Sequence, residues 1–441
     1  MTDQPTTAGP APIAPGQGGR KAAFGFIFAS AVMNAVSFGI MIPVLSNLIK
    51  QFAGGDFASA SRWNVVFACT WGLMQFISGP IMGLLSDRVG RRPVLLISLG
   101  GLAVDFLFMA LAPNLAWLFV GRVLNGMTAA SFSTAGAYVA DVTPPEGRAK
   151  AFGMIGAAFS CGFLVGPVLG GLLAAHSLRT PFFVAAGLTA INWLYGLFVL
   201  PESLSVERRV KHFEWRRANP LGSLNFLRRH AELLALATIS FLFLFAQTVL
   251  PTVFVLYTGY RYHWTPLIMG AAMAGNGVLG IVVQTLAVGP VVARIGERGS
   301  LLLGAFGGAL GFALYGFAPS GWFYVATMPV FAFMSFLQPG LQGLMSRRVG
   351  PSEQGQLQGA NQSLQGIASV LGPMVFGTTF AWAVDHDATL HAPGLPIYVA
   401  ASALGVAFLL GLRVAVTTPP RPFPVQVTSP EPDEKGRSAN I

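Results

Sequence analysis

Long apolar stretches recur along almost the whole chain, and their length decides what it can fold into. They occupy residues 22–48, 63–86, 93–112, 115–140, 151–175 and 181–200, then 231–257, 266–293, 300–317, 322–345, 355–384 and 396–416. Each is near the roughly 20 residues that a helix needs to cross a bilayer. Only 10% of the 441 residues are charged, against roughly 25% in soluble domains. In lipid the backbone must satisfy its own hydrogen-bonding groups, so only helices and closed barrels span it. Continuous apolar runs are not the alternating pattern of barrel strands. The expected fold is an all-α integral membrane protein with twelve transmembrane helices.

The stretch from Gly83 to Leu96 packs four charges into the six residues Asp87–Arg92, between two spans. A worn copy follows 206 positions later, from Gly289 to Leu302, and the same offset carries Ala112-Pro113 onto Ala318-Pro319 and Gly166-Pro167 onto Gly372-Pro373. Three anchors at one offset imply a duplicated bundle, two pseudo-repeats of six helices, as in transporters. The expected organisation is an N-terminal tail (1–21), a six-helix bundle (22–200), a linker (201–230), a second six-helix bundle (231–416) and a C-terminal tail (417–441). The tails are rich in Pro, Gly and Thr and lack an apolar core, which predicts disorder.

The net charge of +10 would suit a nucleic-acid binder, but its distribution does not. With loops assigned alternately, one membrane face carries 22 of the 27 Lys and Arg, and the other only Lys50, Arg62, Arg179 and Arg261. The positive-inside rule then puts both termini, the 87–92 loop and the linker in the cytoplasm. The charges orient the chain in a lipid bilayer, and no nucleic-acid partner is expected.

Several residues could do mechanical work. In the charged loop Gly83 is expected to end a helix and Gly90 to permit a reversal. Asp87 is placed near the next helix's N-terminus, where a carboxylate meets the positive end of the dipole. Arg91 can reach Asp141, at the end of the fourth span. With Arg88 and Arg92, this cluster reads as a latch that holds when its face is closed and breaks as it opens; the plainer alternative is a static anchor. Asp105 is the one acid among 17 deep in a span. Arg122 shares its depth, seven residues from the same outer side. A buried ion of this kind marks function with a partner to be named, so the pair is the candidate for proton coupling. A permanent ion pair pinning two helices is the structural alternative.

Gly162, Gly166, Pro167, Gly170 and Gly171 give the fifth span a small-residue face on which another helix can approach closely. Gln354, Gln358, Asn361, Gln362, Gln365 and Ser369 form a polar stripe on one face of the eleventh span. Other intramembrane amides are Asn34, Asn125, Gln247, Asn276, Gln284, Gln338 and Gln342. Facing lipid they would be costly, so they are expected to line a cavity for a small, partly apolar organic molecule or to bond neighbouring helices. There is no phosphate-cradling Gly-x4-Gly-Lys loop, no metal-ligand spacing among the six His, and no nucleophile–base arrangement. Cys69 and Cys161 fit as packing residues. A cofactor, a metal and an enzymatic activity are therefore not expected.

The 83–96 stretch resembles the signature between helices 2 and 3 of the major facilitator superfamily. Gly121-Arg122-Val123-Leu124-Asn125-Gly126 resembles the family's fourth-helix Arg motif, linked to proton coupling, and the run from Gly162 to Gly171 its fifth-helix antiporter motif. Within the superfamily the chain is most similar to the tetracycline-resistance-type drug:proton antiporters, through 86–99, 141–171 and 341–359. The resemblance implies a bacterial inner-membrane exporter, driven by the proton gradient without a cofactor and acting as a monomer. Asp105 and Gln284 match the pattern of those exporters. Asn34 stands where they carry an acid, Gly280 where they carry a His, and Gly307 or Gly308 where they carry another acid. These departures weaken the expectation of a metal–tetracycline chelate as cargo and leave Asp105 as the main proton carrier. The expected function is proton-coupled export by alternating access. The alternative is an importer of a sugar, organic acid or siderophore-like compound; a non-transporting receptor fits the retained charged loop less well.

Overall fold

The computed structural model describes residues 17–128, 131–143, 148–204, 209, 227, 231–350 and 353–414. The expected C-terminal tail, most of the N-terminal tail and most of the linker lie outside the described residues. The first half holds six spans: Gln17–Phe52, Phe57–Val89, Arg91–Leu111, the pair Leu115–Thr128 and Ser131–Val142, Arg148–Ala174, and Thr180–Val199. Local chemistry sets several starts. The Asp56 carboxylate accepts from Ser59 N at 2.7 Å, filling orphan donors of the second span. Pro266 opens the eighth span with the Thr265 hydroxyl as its cap.

In the second half the spans are less regular than their apolar runs suggest. The seventh is Ala231–Gln247 followed by Val249–Tyr262. It breaks at Thr248, whose hydroxyl bonds the Phe245 carbonyl at 2.7 Å and competes with the helical ladder. The eighth, Pro266–Val282, continues through a π-helical turn, Val283–Ala287, into Val288–Phe317. Gly296 (φ 73°, ψ 174°) interrupts that last helix and separates the eighth from the ninth span. The tenth runs in four pieces from Gly321–Ala326 through Met328–Ala332 and Phe333–Phe336 to Leu337–Ser346; Pro329, next to the first break, has no N–H to give. The eleventh is Gln354–Asp385 and the twelfth Leu395–Arg413.

Among the described residues ten helices are long and apolar enough to cross a membrane, one of them holding both the eighth and ninth spans, and Leu115–Met127 adds a shorter apolar helix. The twelve-span reading accounts for all of these. Gly83, expected to end the second span, lies inside it. The turn falls at Gly90 alone, whose φ of 120° closes one helix and opens the next.

Two helix pairs do most of the joining between the halves, the second span with the eleventh and the fifth with the eighth; the seventh span also touches the first and second, and the first touches the eighth. Along the first seam Ser61 Oγ donates to the Gly377 carbonyl at 2.8 Å and Arg62 pairs with Asp385. The seam continues through Gly72 against Ser369 to Phe76 against Gly366. Along the other, the Gly270 backbone lies against the Pro167 carbonyl and Gly171 against Pro266 and Leu267. Further toward the 83–96 loop, Gly79 and Gly83 of the second span and Gly153 and Gly156 of the fifth face open space. The halves thus meet on the side of the 51–62 and 385–394 loops and part on the side of the charged loop.

Candidate functional site

Between the halves lies a cavity of ≈320 Å³ with walls from the first, second, fourth, fifth, seventh and eleventh spans. Phe38, Met41, Phe67, Trp71 and Phe163 make it mainly apolar, and Arg122 is its one charged lining residue. The Arg122 Nη2 reaches the Met41 sulfur at 3.5 Å, and its Nε is buried without a hydrogen-bond partner.

Asp105 is fully buried, as expected of a deep acid, and the expected Arg122 acts on it through charge at longer range than an ion pair. No ion pair within 4.0 Å joins it to Arg122; instead Asn125 Nδ2 donates to Asp105 Oδ2 at 2.7 Å. Asn125 is one turn beyond Arg122 on the fourth span, and the rotation of that helix turns the amide inward and the guanidinium to the cavity. Trp71 Nε1 donates to Asn125 Oδ1 at 2.6 Å. Since an indole only donates, the amide must show it the oxygen and show Asp105 the nitrogen. A hydrogen-bonded line therefore runs from a cavity-lining indole to a buried carboxylate whose other oxygen, Oδ1, has no partner. Trp71 was not singled out from the sequence, where one indole among eight carries no mark.

The charged loop is organised around Arg91. Its Nη1 meets Asp87 at 2.5 Å, its Nε meets Asp141 at 3.3 Å, and Nη1 also donates to Ser86 Oγ at 2.6 Å. The expected Arg91–Asp141 contact is present, and it coexists with the parting of the halves on this face. In this conformation the cluster ties the second, third and fourth spans of one half together. Asp87, expected at the third helix's N-terminus, is occupied by Arg91. Glu202 takes that place, accepting from the backbone N–H of Arg91 (2.8 Å), Arg92, Ser203 and Leu204. Its signal in the sequence was an acid directly after the sixth span. Arg92 Nη2 donates to the Leu197 carbonyl at 2.7 Å, capping the sixth span, while Arg88 is exposed.

The fifth-span glycines do what small residues permit. A Cβ on Gly166 would lie 2.6 Å from Gly39 Cα, and one on Gly162 or Gly170 would strike Ala35 or the Ile40 carbonyl of the first span. The Pro167 carbonyl and Gly171 instead face the eighth span of the other half, while the Pro167 ring lies against Gly39 of the first span.

The amides do not form one cavity. Asn34 accepts from Asn192 at 3.4 Å in a polar seam between the first and sixth spans. Asn125 belongs to the Asp105 line, and Asn276 accepts from the Tyr315 hydroxyl at 3.0 Å. Gln247 and Gln284 are exposed and outside the central cavity. Gln338, Gln342, Gln358, Asn361, Gln362 and Gln365 come together in a separate recess of ≈90 Å³ in the second half. The sequence periodicity showed the stripe; which amides cross to a neighbouring helix depends on helix rotation, which periodicity does not fix. Among the described residues no group of three His, Cys, Asp or Glu could hold a metal.

Two six-helix halves around a central cavity define a polytopic membrane carrier. The chain belongs to the Major Facilitator Superfamily, whose family model matches residues 27–373. It is 38% identical over 355 residues to the class C tetracycline resistance protein of Escherichia coli, covering 80% of this chain and 89% of that one. It is 29% identical to multidrug resistance protein 2 of Bacillus subtilis, covering 85% and 92%. Among solved structures, the human organic anion transporter MFSD10 superposes with TM-score 0.66 at 23% identity over 89% of this chain and 99% of that one. The nucleoside transporter NupG does so with TM-score 0.72 at 14% identity over 90% and 100%. At these identities the two structures speak for the fold alone.

Proposed function

We propose that the chain is a proton-coupled exporter of small, partly apolar organic molecules, acting as a monomer in the bacterial inner membrane by alternating access. The observation that carries this is the Trp71–Asn125–Asp105 line, which connects the cavity wall to the one carboxyl buried among the described residues. Relatives named for tetracycline and multidrug resistance favour efflux over uptake.

The charge bias assigns the 83–96 loop, the linker and both tails to the cytoplasm, so the structure corresponds to the cytoplasm-open state. Substrate enters from that side and sits against the aromatic wall. The bundles 22–200 and 231–416 then rock, parting the Ser61–Gly377 and Gly270–Pro167 contacts and closing the opposite ends. Ionised, Asp105 accepts from Asn125. Protonated on Oδ1, the oxygen without a partner, it still accepts from Asn125 on Oδ2, but the bond loses its charge assistance and weakens. A weaker hold on Asn125 loosens the Trp71 indole at the cavity wall, and by this route the proton state reaches the substrate. Arg122 places its charge on the same wall. The energy source is the proton gradient, with no cofactor.

Everted vesicles test the reading. On imposing a proton gradient, acid inside, the protein should concentrate an amphipathic fluorescent dye, and a protonophore should release it. Accumulation indifferent to the protonophore would remove proton coupling. Orientation is tested in whole cells: an impermeant thiol reagent should label Ala388→Cys and spare Arg88→Cys. Both positions are exposed.

A further inference from the structure

Gly121 meets the third span at the tip of one side chain. A Cβ built there would lie 2.9 Å from Asp105 Oδ1, and its next neighbour, Phe108 Cβ, would be 3.6 Å away. Gly126 makes a different contact: a Cβ there would strike Met74 Cβ at 2.5 Å and the Trp71 carbonyl at 3.0 Å. That is close packing of helix on helix. Gly121 and Asn125 are four residues apart and share a face of the fourth span. The Asp105 carboxylate lies across both, with Oδ2 held by Asn125 and Oδ1 over Gly121. Oδ1 is buried and has no partner, so it is the oxygen open to a proton. Glycine inside a helix lowers stability relative to alanine, and the carboxylate is the one neighbour that a methyl group at 121 would displace. The pseudo-repeat agrees. At the 206-residue offset Gly121 becomes Thr327 where Asp105 becomes Gly311, while Gly126 becomes the still small Ala332. Where the acid is missing, its bare seat is missing too.

We propose that Gly121 is a positioning residue for Asp105: its missing side chain is the seat that lets one carboxylate oxygen reach Asn125 and leaves the other free to take and release the proton. This rests on the reading of Asp105 as the proton carrier and adds to it a residue outside the cavity lining. A methyl group at 121 pushes the carboxylate aside and stretches the Asn125 bond. That bond favours the ionised form, so the variant keeps its proton to higher pH. Among the described residues Arg122, on the same span, is the one charged group acting on Asp105, and the second span reaches it through the neutral Trp71 and Asn125.

Infrared difference spectra of the purified full chain in lipid, recorded through a pH titration, test this by the C=O stretch of the protonated carboxyl. The band absent from Asp105→Asn belongs to Asp105. Its midpoint should move upward by about one pH unit in Gly121→Ala, the worth of one charge-assisted hydrogen bond. Asn125→Leu should move it the same way, and Gly121→Ala should add little on top, since both act on one bond. The melting temperature of Gly121→Ala should stay close to wild type, because a carboxylate swings aside where a backbone cannot; Gly126→Ala should lower it. A midpoint unmoved in Gly121→Ala would overturn the proposal and leave Asp105 as the carrier. Shifts that add in the double variant would overturn it too, because Gly121 would then not act through Asn125. A melting temperature lowered as far as in Gly126→Ala would make Gly121 a packing residue. If wild type and Asp105→Asn show the same bands at every pH, Asp105 takes no proton, and the carrier reading falls first.

Discussion

Glu297 meets Arg347 at 2.9 Å in the second half, and this pair stands 206 residues beyond Arg91 and Asp141 with the signs exchanged. Gly296 with its positive φ repeats Gly90. Arg298 Nη2 donates to the Leu412 carbonyl at 2.6 Å, as Arg92 does to Leu197. Each half thus carries its own clamp between a helix start and a neighbouring helix end. Both clamps are intact while the halves are parted on that face, and each ties helices within one half. Arg91→Ala, which removes bonds to Asp87, Asp141 and Ser86, should lower the melting temperature more than Arg347→Ala, whose partnership is largely exposed and worth at most about 1 kcal/mol. The reverse ranking in detergent melts would count against clamping by Arg91.

Asp87→Asn keeps shape and removes one partner of Arg91. Transport should fall while ligand binding to the purified protein persists, because the central cavity is untouched. Transport at the wild-type rate would reduce the cluster to a topological anchor.

Arg62 and Asp385 pair across the halves at the face where they touch. Both are substantially exposed, so the pair biases the equilibrium between states by about 1 kcal/mol or less. Arg62→Asp should make a cysteine at Ser61, which is buried in the seam, more reactive to thiol reagents. Adding Asp385→Arg should restore protection. Reactivity that follows neither change would mean the pair does no gating.

Gly39 and Gly166 touch backbone to backbone, with no space for a side chain. Gly166→Val should destabilise the first half by on the order of 1–3 kcal/mol through overpacking, read as a lowered melting temperature. Gly270→Val acts at the seam between halves instead. It should hold them apart on the outer face, leaving the melting temperature closer to wild type while transport is lost.

The fold was legible because lipid imposes one rule on every span and duplication repeats it. Interruptions were less so: Thr248 and Pro329 break helices whose apolar runs are unbroken. At the site, Asp105 announced itself as a charge where charge is costly, whereas its partner did not. Arg122 and Asn125 lie within one turn, and only the rotation of the fourth span decides which of them meets the acid. The central cavity was the least legible part, since Phe38, Met41 and Phe163 are chemically identical to residues that face lipid. Glu202 was overlooked because its role depends on the fold bringing 202 against 91.

At the 206-residue offset, Asp105 becomes Gly311 and Asn125 becomes Phe331, which pack against each other in the second half. The Asp105–Asn125 pair proposed for proton coupling therefore has no counterpart in the second half, and Asp105→Asn is its most direct test. The variant should be reconstituted into vesicles and compared with wild type for substrate movement driven by a pH gradient and for exchange of labelled substrate without one. The account predicts that gradient-driven accumulation is lost while exchange persists, because exchange moves no net proton. Gradient-driven accumulation equal to wild type would contradict it and make Asp105 a structural residue.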